Sequence, residues 1–238
     1  MPLAVVFVLL AVPVLYVVLR HPAATSPVTQ GTTQNGAPLS QLEALAKAQP
    51  TAENRINLSQ AYIQNKSYGQ AIDLLTPLVA EMPKNAIAWN NLCVARMLQQ
   101  EINLALEACQ HGVESDSSFQ LVRNNLRWAQ GERDKTLAAI AEQEKTEPAN
   151  RDVAFYLSEG LNQLHLGLYD QAMASWQQVL KFDPKNALAW NNIGTAQMMQ
   201  HHPQEARASF EHAKELDPGN ALMSNNLAWA EHVLQAGR

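Results

Sequence analysis

The chain has 238 residues, 47% of them hydrophobic, 16% charged and only 6% aromatic, with a formal net charge of −5. That balance lacks the clustered Lys and Arg that nucleic-acid binding requires, and two cysteines exclude a disulfide-dense scaffold or a four-thiolate metal site. Few aromatic residues beside many alanines point to helices with small-residue contacts rather than a β-sandwich.

Residues 3–19 (LAVVFVLLAVPVLYVVL) carry no charge. At a helical rise of ~1.5 Å they span roughly 26 Å, close to the thickness of a hydrocarbon core. Residues 1–19 are therefore predicted to be an uncleaved transmembrane signal anchor, with Pro13 tolerated as it is in membrane helices. The rival reading is a cleaved signal peptide. Against it, the stretch is long for such a peptide, nothing basic but the amino terminus precedes it, and Pro27 follows the Ala24-Thr25-Ser26 site. Arg20 and the amino terminus nearly balance, so charge gives little guidance on orientation. A short amino end, an apolar stretch and an uncharged polar linker favour placing the bulk on the extracytoplasmic (periplasmic) side, with the cytoplasmic side as the alternative. Residues 20–39 are rich in Pro, Thr, Gly, Gln and Asn without apolar periodicity, which predicts a flexible tether.

Residues 40–238 repeat themselves. MPKNAIAWNNL at 82–92 returns as DPKNALAWNNI at 183–193, and an Asn-Asn pair stands at 90–91, 124–125, 191–192 and 225–226. A period of about 34, with one copy of the pair missing in the middle, marks a solenoid of helix pairs. Five units follow, at 52–85, 86–119, 120–152, 153–186 and 187–220. A short opening helix precedes them at 40–49, and a closing helix is expected over 221–236. The unit 187–220 spaces Trp190, Ile193, Gly194, Ala206, Phe210, Ala213 and Pro218. The unit 153–186 has Tyr156, Gly160, Ala172, Trp176 and Pro184, and the unit 52–85 has Leu58, Tyr62, Tyr68, Ala71 and Pro83. In 86–119, Trp89, Leu92 and Ala105 fit, with Cys93 and Cys109 at the small and bulky sites. In 120–152, Leu126 and Ala139 fit, and Gly131 is expected to interrupt the end of the first helix. This spacing resembles the tetratricopeptide repeat (TPR) family and implies an all-α, right-handed solenoid.

No HExxH, GxSxG, phosphate-binding glycine loop or CxxC is present, so no enzyme activity, cofactor or metal is expected. His201-His202 lies in a turn and reads as solvated. Cys93 and Cys109 occupy inward sites on the two helices of one unit. Two readings stay open: a pair of small buried apolar residues, or a disulfide in an oxidising compartment.

The resemblance also implies which positions of each first helix face a concave groove. The sixth position carries Asn57, Asn91, Asn125, Ser158, Asn192 and Asn226. A row of amides can hold an extended peptide by its backbone, or the same amides can bond neighbouring helices; both readings stand. Met97, Leu164 and Met198 at the twelfth position, with Trp128 and Trp229 at the ninth, would be apolar anchors for a partner. Trp89, Trp176 and Trp190 read as ordinary core. The expectation is a membrane-anchored scaffold or assembly factor that binds an extended protein or peptide segment and no nucleic acid. The alternatives are a periplasmic holdase-type chaperone, or a non-catalytic accessory subunit of an envelope enzyme complex such as one for cytochrome c maturation.

Overall fold

The computed structural model describes residues 37–236. The predicted anchor over 1–19, and the tether up to residue 36, lie outside them. The described residues form helices and no strand: α1 (Leu39–Ala48), α2 (Ala52–Gln64), α3 (Tyr68–Glu81), α4 (Ala86–Leu98), α5 (Ile102–Ser115) and α6 (Gln120–Glu144). A 3-10 turn (Pro148–Asn150) leads to α7 (Val153–His165), α8 (Tyr169–Phe182), α9 (Ala187–Met199), α10 (Pro203–Leu216) and α11 (Ala221–Ala236). Four tight pairs, α2/α3, α4/α5, α7/α8 and α9/α10, each pack on the next element. First helices also touch first helices, α2 on α4, α4 on α6 and α9 on α11, so they make one layer and the second helices another.

The local sequence explains where these helices start and turn. Thr51, Asn85, Asp152 and Asn186 stand just before α2, α4, α7 and α9. Each side-chain oxygen accepts from a backbone N–H three residues on, satisfying a donor that the helix cannot. Every turn inside a pair has one residue with positive φ at the fifteenth place of its unit: Lys66, Gln100, Gly167 and His201. The next N–H then reaches back five residues, as from Ser67 to the Tyr62 carbonyl at 2.8 Å and from His202 to the Gln197 carbonyl at 2.9 Å. This left-handed cap closes off the first helix and sends the chain back antiparallel.

The middle unit corrects the prediction. Residues 120–152 do not form a helix pair; α6 runs 25 residues without a break through Gly131. A pair needs a small residue at the eighth position facing a bulky one at the twenty-fourth. The other units supply Ser59 and Leu75, Cys93 and Cys109, Gly160 and Trp176, and Gly194 and Phe210. The middle unit offers Arg127 and Gln143, long polar side chains that cannot fill a dry helix–helix contact. Nothing therefore drives the hairpin closed. One glycine in a helix interior costs only about 1 kcal/mol, and a Cβ at Gly131 would meet no atom within 4 Å.

Elsewhere those two positions decide how closely the helices approach. A Cβ on Gly160 would stand 2.4 Å from the Trp176 ring, and one on Gly194 2.6 Å from the Phe210 ring. Trp176 and Phe210 are fully buried. In α4/α5 the same place holds a disulfide between Cys93 and Cys109, with Cα atoms 5.2 Å apart. The stack is bounded by α1, tied to α2 where the Tyr62 hydroxyl donates to Glu43 Oε1 at 3.0 Å, and by α11, which buries Met223, Leu227 and Ala230.

Candidate interaction surface

Each half of the molecule builds the same short chain of amides. Asn125 Nδ2 donates to Asn90 Oδ1 at 2.8 Å, and Asn90 Nδ2 to Asn91 Oδ1 at 3.3 Å. In the second half Asn226 Nδ2 donates to Asn191 Oδ1 at 2.8 Å, and Asn191 Nδ2 to Asn192 Oδ1 at 3.5 Å. The sixth-position amide of one unit is thus bound to the fifth-position amide of the unit before it. Asn91 is 0% exposed, Asn125 and Asn192 are buried, and Asn57 and Asn226 are half-buried. Of the two readings, bonding between helices holds for Asn125 and Asn226, which reach Asn90 and Asn191 of the unit before, whereas Asn91 and Asn192 are bonded within their own helix and each keeps a buried Nδ2 without a hydrogen-bond partner. The signal lay in the doublet, since Asn90 and Asn191 supply the partner.

The apolar anchors divide. Met97 and Met198 are core, Met97 packing among Leu75, Leu92 and Cys93 and Met198 among Phe210, Leu227 and Ala230. As docking anchors they are corrected, because the twelfth position turns toward the packed helices. Leu164 and Trp128 are half-buried against the two cores. Trp229 is 38% exposed. The second position, which the resemblance also places on the groove, carries Ile87, Leu188 and Leu222, which are 37%, 42% and 44% exposed. Leu222, Trp229 and Val233 follow one another at helical spacings of seven and four, so they form one exposed stripe on α11. Leu188 holds the corresponding place on α9.

The two halves meet where the turn between α4 and α5 approaches the turn between α7 and α8. Asn103 Nδ2 donates to the Leu166 carbonyl at 2.5 Å, and Leu166 joins the core of the first half. Burial holds the Glu101 carboxyl above its usual range, opposed by Arg96 and reinforced by Asp73. Burial likewise raises the Tyr169 hydroxyl, with Glu101 adding to the effect and Arg96 opposing it. It also lowers His165, favouring the neutral imidazole. These groups are of both signs and scattered along a seam. Among the described residues, no group of three or more His, Cys, Asp or Glu is placed to hold a metal ion.

By sequence, residues 164–200 match the family described as TPR repeat, and residues 187–220 the family described as tetratricopeptide repeat. No curated protein matches the chain. Among solved structures the chain is similar to YrrB, a TPR protein with an unusual peptide-binding site. The identity is 14%, over 79% of this chain and 97% of that one, with a TM-score of 0.37. It is also similar to the TPR domain of P58(IPK), at 16% identity over 84% and 61% of the two chains and a TM-score of 0.41. The TPR2AB domain of yeast Sti1 is similar at 18% identity, over 83% and 77%, with a TM-score of 0.38. The chain thus carries tetratricopeptide repeats over residues 164–220, within an all-helical stack of capped helix pairs among the described residues.

Proposed function

We propose that this protein is a membrane-anchored scaffold that holds an extended segment of a partner protein on the layer of first helices in its second half. The observation that carries this reading is the exposed stripe of Leu222, Trp229 and Val233 on α11, continued by Leu188 on α9. An aromatic anchor among adaptable apolar neighbours is the composition of a binding hot spot. Anchoring rests on residues 3–19, since no helix among the described residues is long and apolar enough to cross a membrane. The Cys93–Cys109 disulfide supports an oxidising, extracytoplasmic setting for the repeats.

The test is selection of binders from a displayed library of short extended peptides, followed by titration with Trp229→Ala and Leu222→Ala. Losing a hot-spot tryptophan costs about 2 kcal/mol or more, roughly thirtyfold in affinity. Both side chains are exposed, so melting temperatures should stay near wild type. Selected peptides that bind these variants as tightly as wild type would remove the stripe from the reading. For the membrane side, alkaline phosphatase fused to Arg238 should be active. Activity restricted to a cytoplasmic reporter at that position would reverse the orientation.

A further inference from the structure

In this stack the first helix of a unit normally receives the second helix of the unit before it: α3 packs on α4, α5 on α6, α8 on α9 and α10 on α11. The pair α7/α8 has no such neighbour, because the middle unit runs straight through as α6. The end of α6 instead meets α7 through Gln143, which donates to Ser158 and accepts from Asn162 Nδ2 at 3.0 Å. The effect on burial is large. α4 buries eight residues and α9 seven, whereas α7 buries only Gly160. Between α7 and α8 lies an open groove of about 520 Å³, walled by Arg151, Glu159, Gln163, Gln171 and Gln178.

The chemistry of this groove departs from that of its filled counterparts. At the seventh position the other pairs and α11 place Leu58, Leu92, Ile193 and Leu227, all buried. Here the residue is Glu159. Its Oε2 accepts from the buried Ser175 hydroxyl at 2.8 Å, and the same hydroxyl lies 2.8 Å from Gln163 Oε1. One hydroxyl proton serves one acceptor at a time, so the two side chains share a single donor. No Lys or Arg pairs with Glu159 among the described residues. At one end of the groove Phe182 is 60% exposed and stacks on Tyr156, with ring centroids 6.1 Å apart.

We propose that this groove receives an amphipathic helix of a partner protein that carries a Lys or Arg opposite Glu159 and lies where the absent second helix of the middle unit would lie. The two equivalent pairs α4/α5 and α9/α10 each receive a helix, α3 and α8, which sets the shape of the occupant. The carboxylate without a basic partner sets its charge. The glutamine walls offer donors and acceptors to a polar flank, and Phe182 with Tyr156 offers an apolar end. This site is distinct from the first-helix stripe of α9 and α11, and it stands or falls without it.

Two synthetic stapled helices built on the α8 sequence, which fills the equivalent groove on α9, provide the probe. They differ only in having Lys or Glu at the position facing Glu159. In calorimetric titrations of the full-length chain in detergent, the Lys peptide should bind at least tenfold more tightly than the Glu peptide. Glu159→Lys should invert that preference, and Glu159→Gln, which keeps the shape and removes the charge, should abolish it. Equal binding of the two peptides, binding of neither, or a preference unchanged in both variants would overturn the proposal. Ultracentrifugation of the peptide-free chain covers the other occupant. A dimer that Glu159→Lys dissolves would place a second copy in the groove and reject a separate partner.

Discussion

In α9/α10 a glycine, Gly194, lies against the ring of Phe210; in α4/α5 the equivalent positions hold Cys93 and Cys109, joined covalently. Both arrangements bring two helices close at the same place of the repeat, and both exclude water. They differ in what maintains the approach. The ring pair depends on volume, a large side chain filling the space a missing Cβ leaves, and is indifferent to redox conditions. The disulfide lacks that volume and replaces it with a bond that restricts the unfolded chain. The second half of the solenoid should therefore be stable in any compartment, whereas the first depends on oxidation.

The sharpest way to break this contrast is to remove the ring. Phe210→Ala should cost about 3–5 kcal/mol, as expected for a fully buried aromatic. The loss should fall on α9–α11, so hydrogen exchange resolved by segment should show those helices opening first while α2–α5 stay protected. If α2–α5 lost protection to the same degree, the two halves would be one cooperative unit and the comparison would fail.

Reduction, or the double variant Cys93→Ser with Cys109→Ser, should cost about 3 kcal/mol for a loop of this length. Urea unfolding with and without reductant should show the early transition in the first half alone. A third variant sharpens the contrast from the other side. Gly194→Ala pushes a methyl group into the Phe210 ring, where its Cβ would sit 2.6 Å away, and overpacking of this kind costs about 1–3 kcal/mol. The same approach at Gly160 against Trp176 predicts a similar drop for Gly160→Ala, read as a lower midpoint in thermal melts.

The smallest effect concerns the turns. His201 adopts φ 62° in the second half and Gln100 φ 67° in the first, a region that costs a residue with a Cβ about 1–2 kcal/mol relative to a helical conformation. His201→Gly and Gln100→Gly should each stabilise by up to about 1 kcal/mol, partly offset by the greater freedom of glycine when unfolded. Both should raise the melting temperature by a few degrees. A fall in either would show that the side chain, rather than the backbone, holds that turn.

The candidate surface was partly readable in advance. Trp229 stands at a groove position of the repeat and is exposed, whereas Met97, Met198, Asn91, Asn125 and Asn192 are buried and Asn57 and Asn226 half-buried. A residue type and a repeat number cannot distinguish an amide that meets a partner from one that meets the next repeat, because both are satisfied by the same hydrogen bonds. Asn91 accepts from Asn90 on its own helix, and it is Asn90 that Asn125 reaches from the next unit. Leu188 and Leu222 stand at the second position, which the resemblance places on the groove, and their exposure follows from what does not pack over them.

By itself, the sequence determined the helices, their caps and their pairing. These depend on interactions within a few turns: a side-chain cap three residues away, a left-handed residue at a fixed place, a small residue facing a large one within a single unit. It also carried the signs against a hairpin in the middle, since Arg127 and Gln143 stand where the pairs elsewhere have apolar contacts. The tertiary structure alone decided the consequences of that break. It ran α6 straight, brought Asn103 against Leu166 across 63 residues of chain, and left α7 meeting the end of α6. Those outcomes balance many weak contacts between units, and no local pattern records that balance.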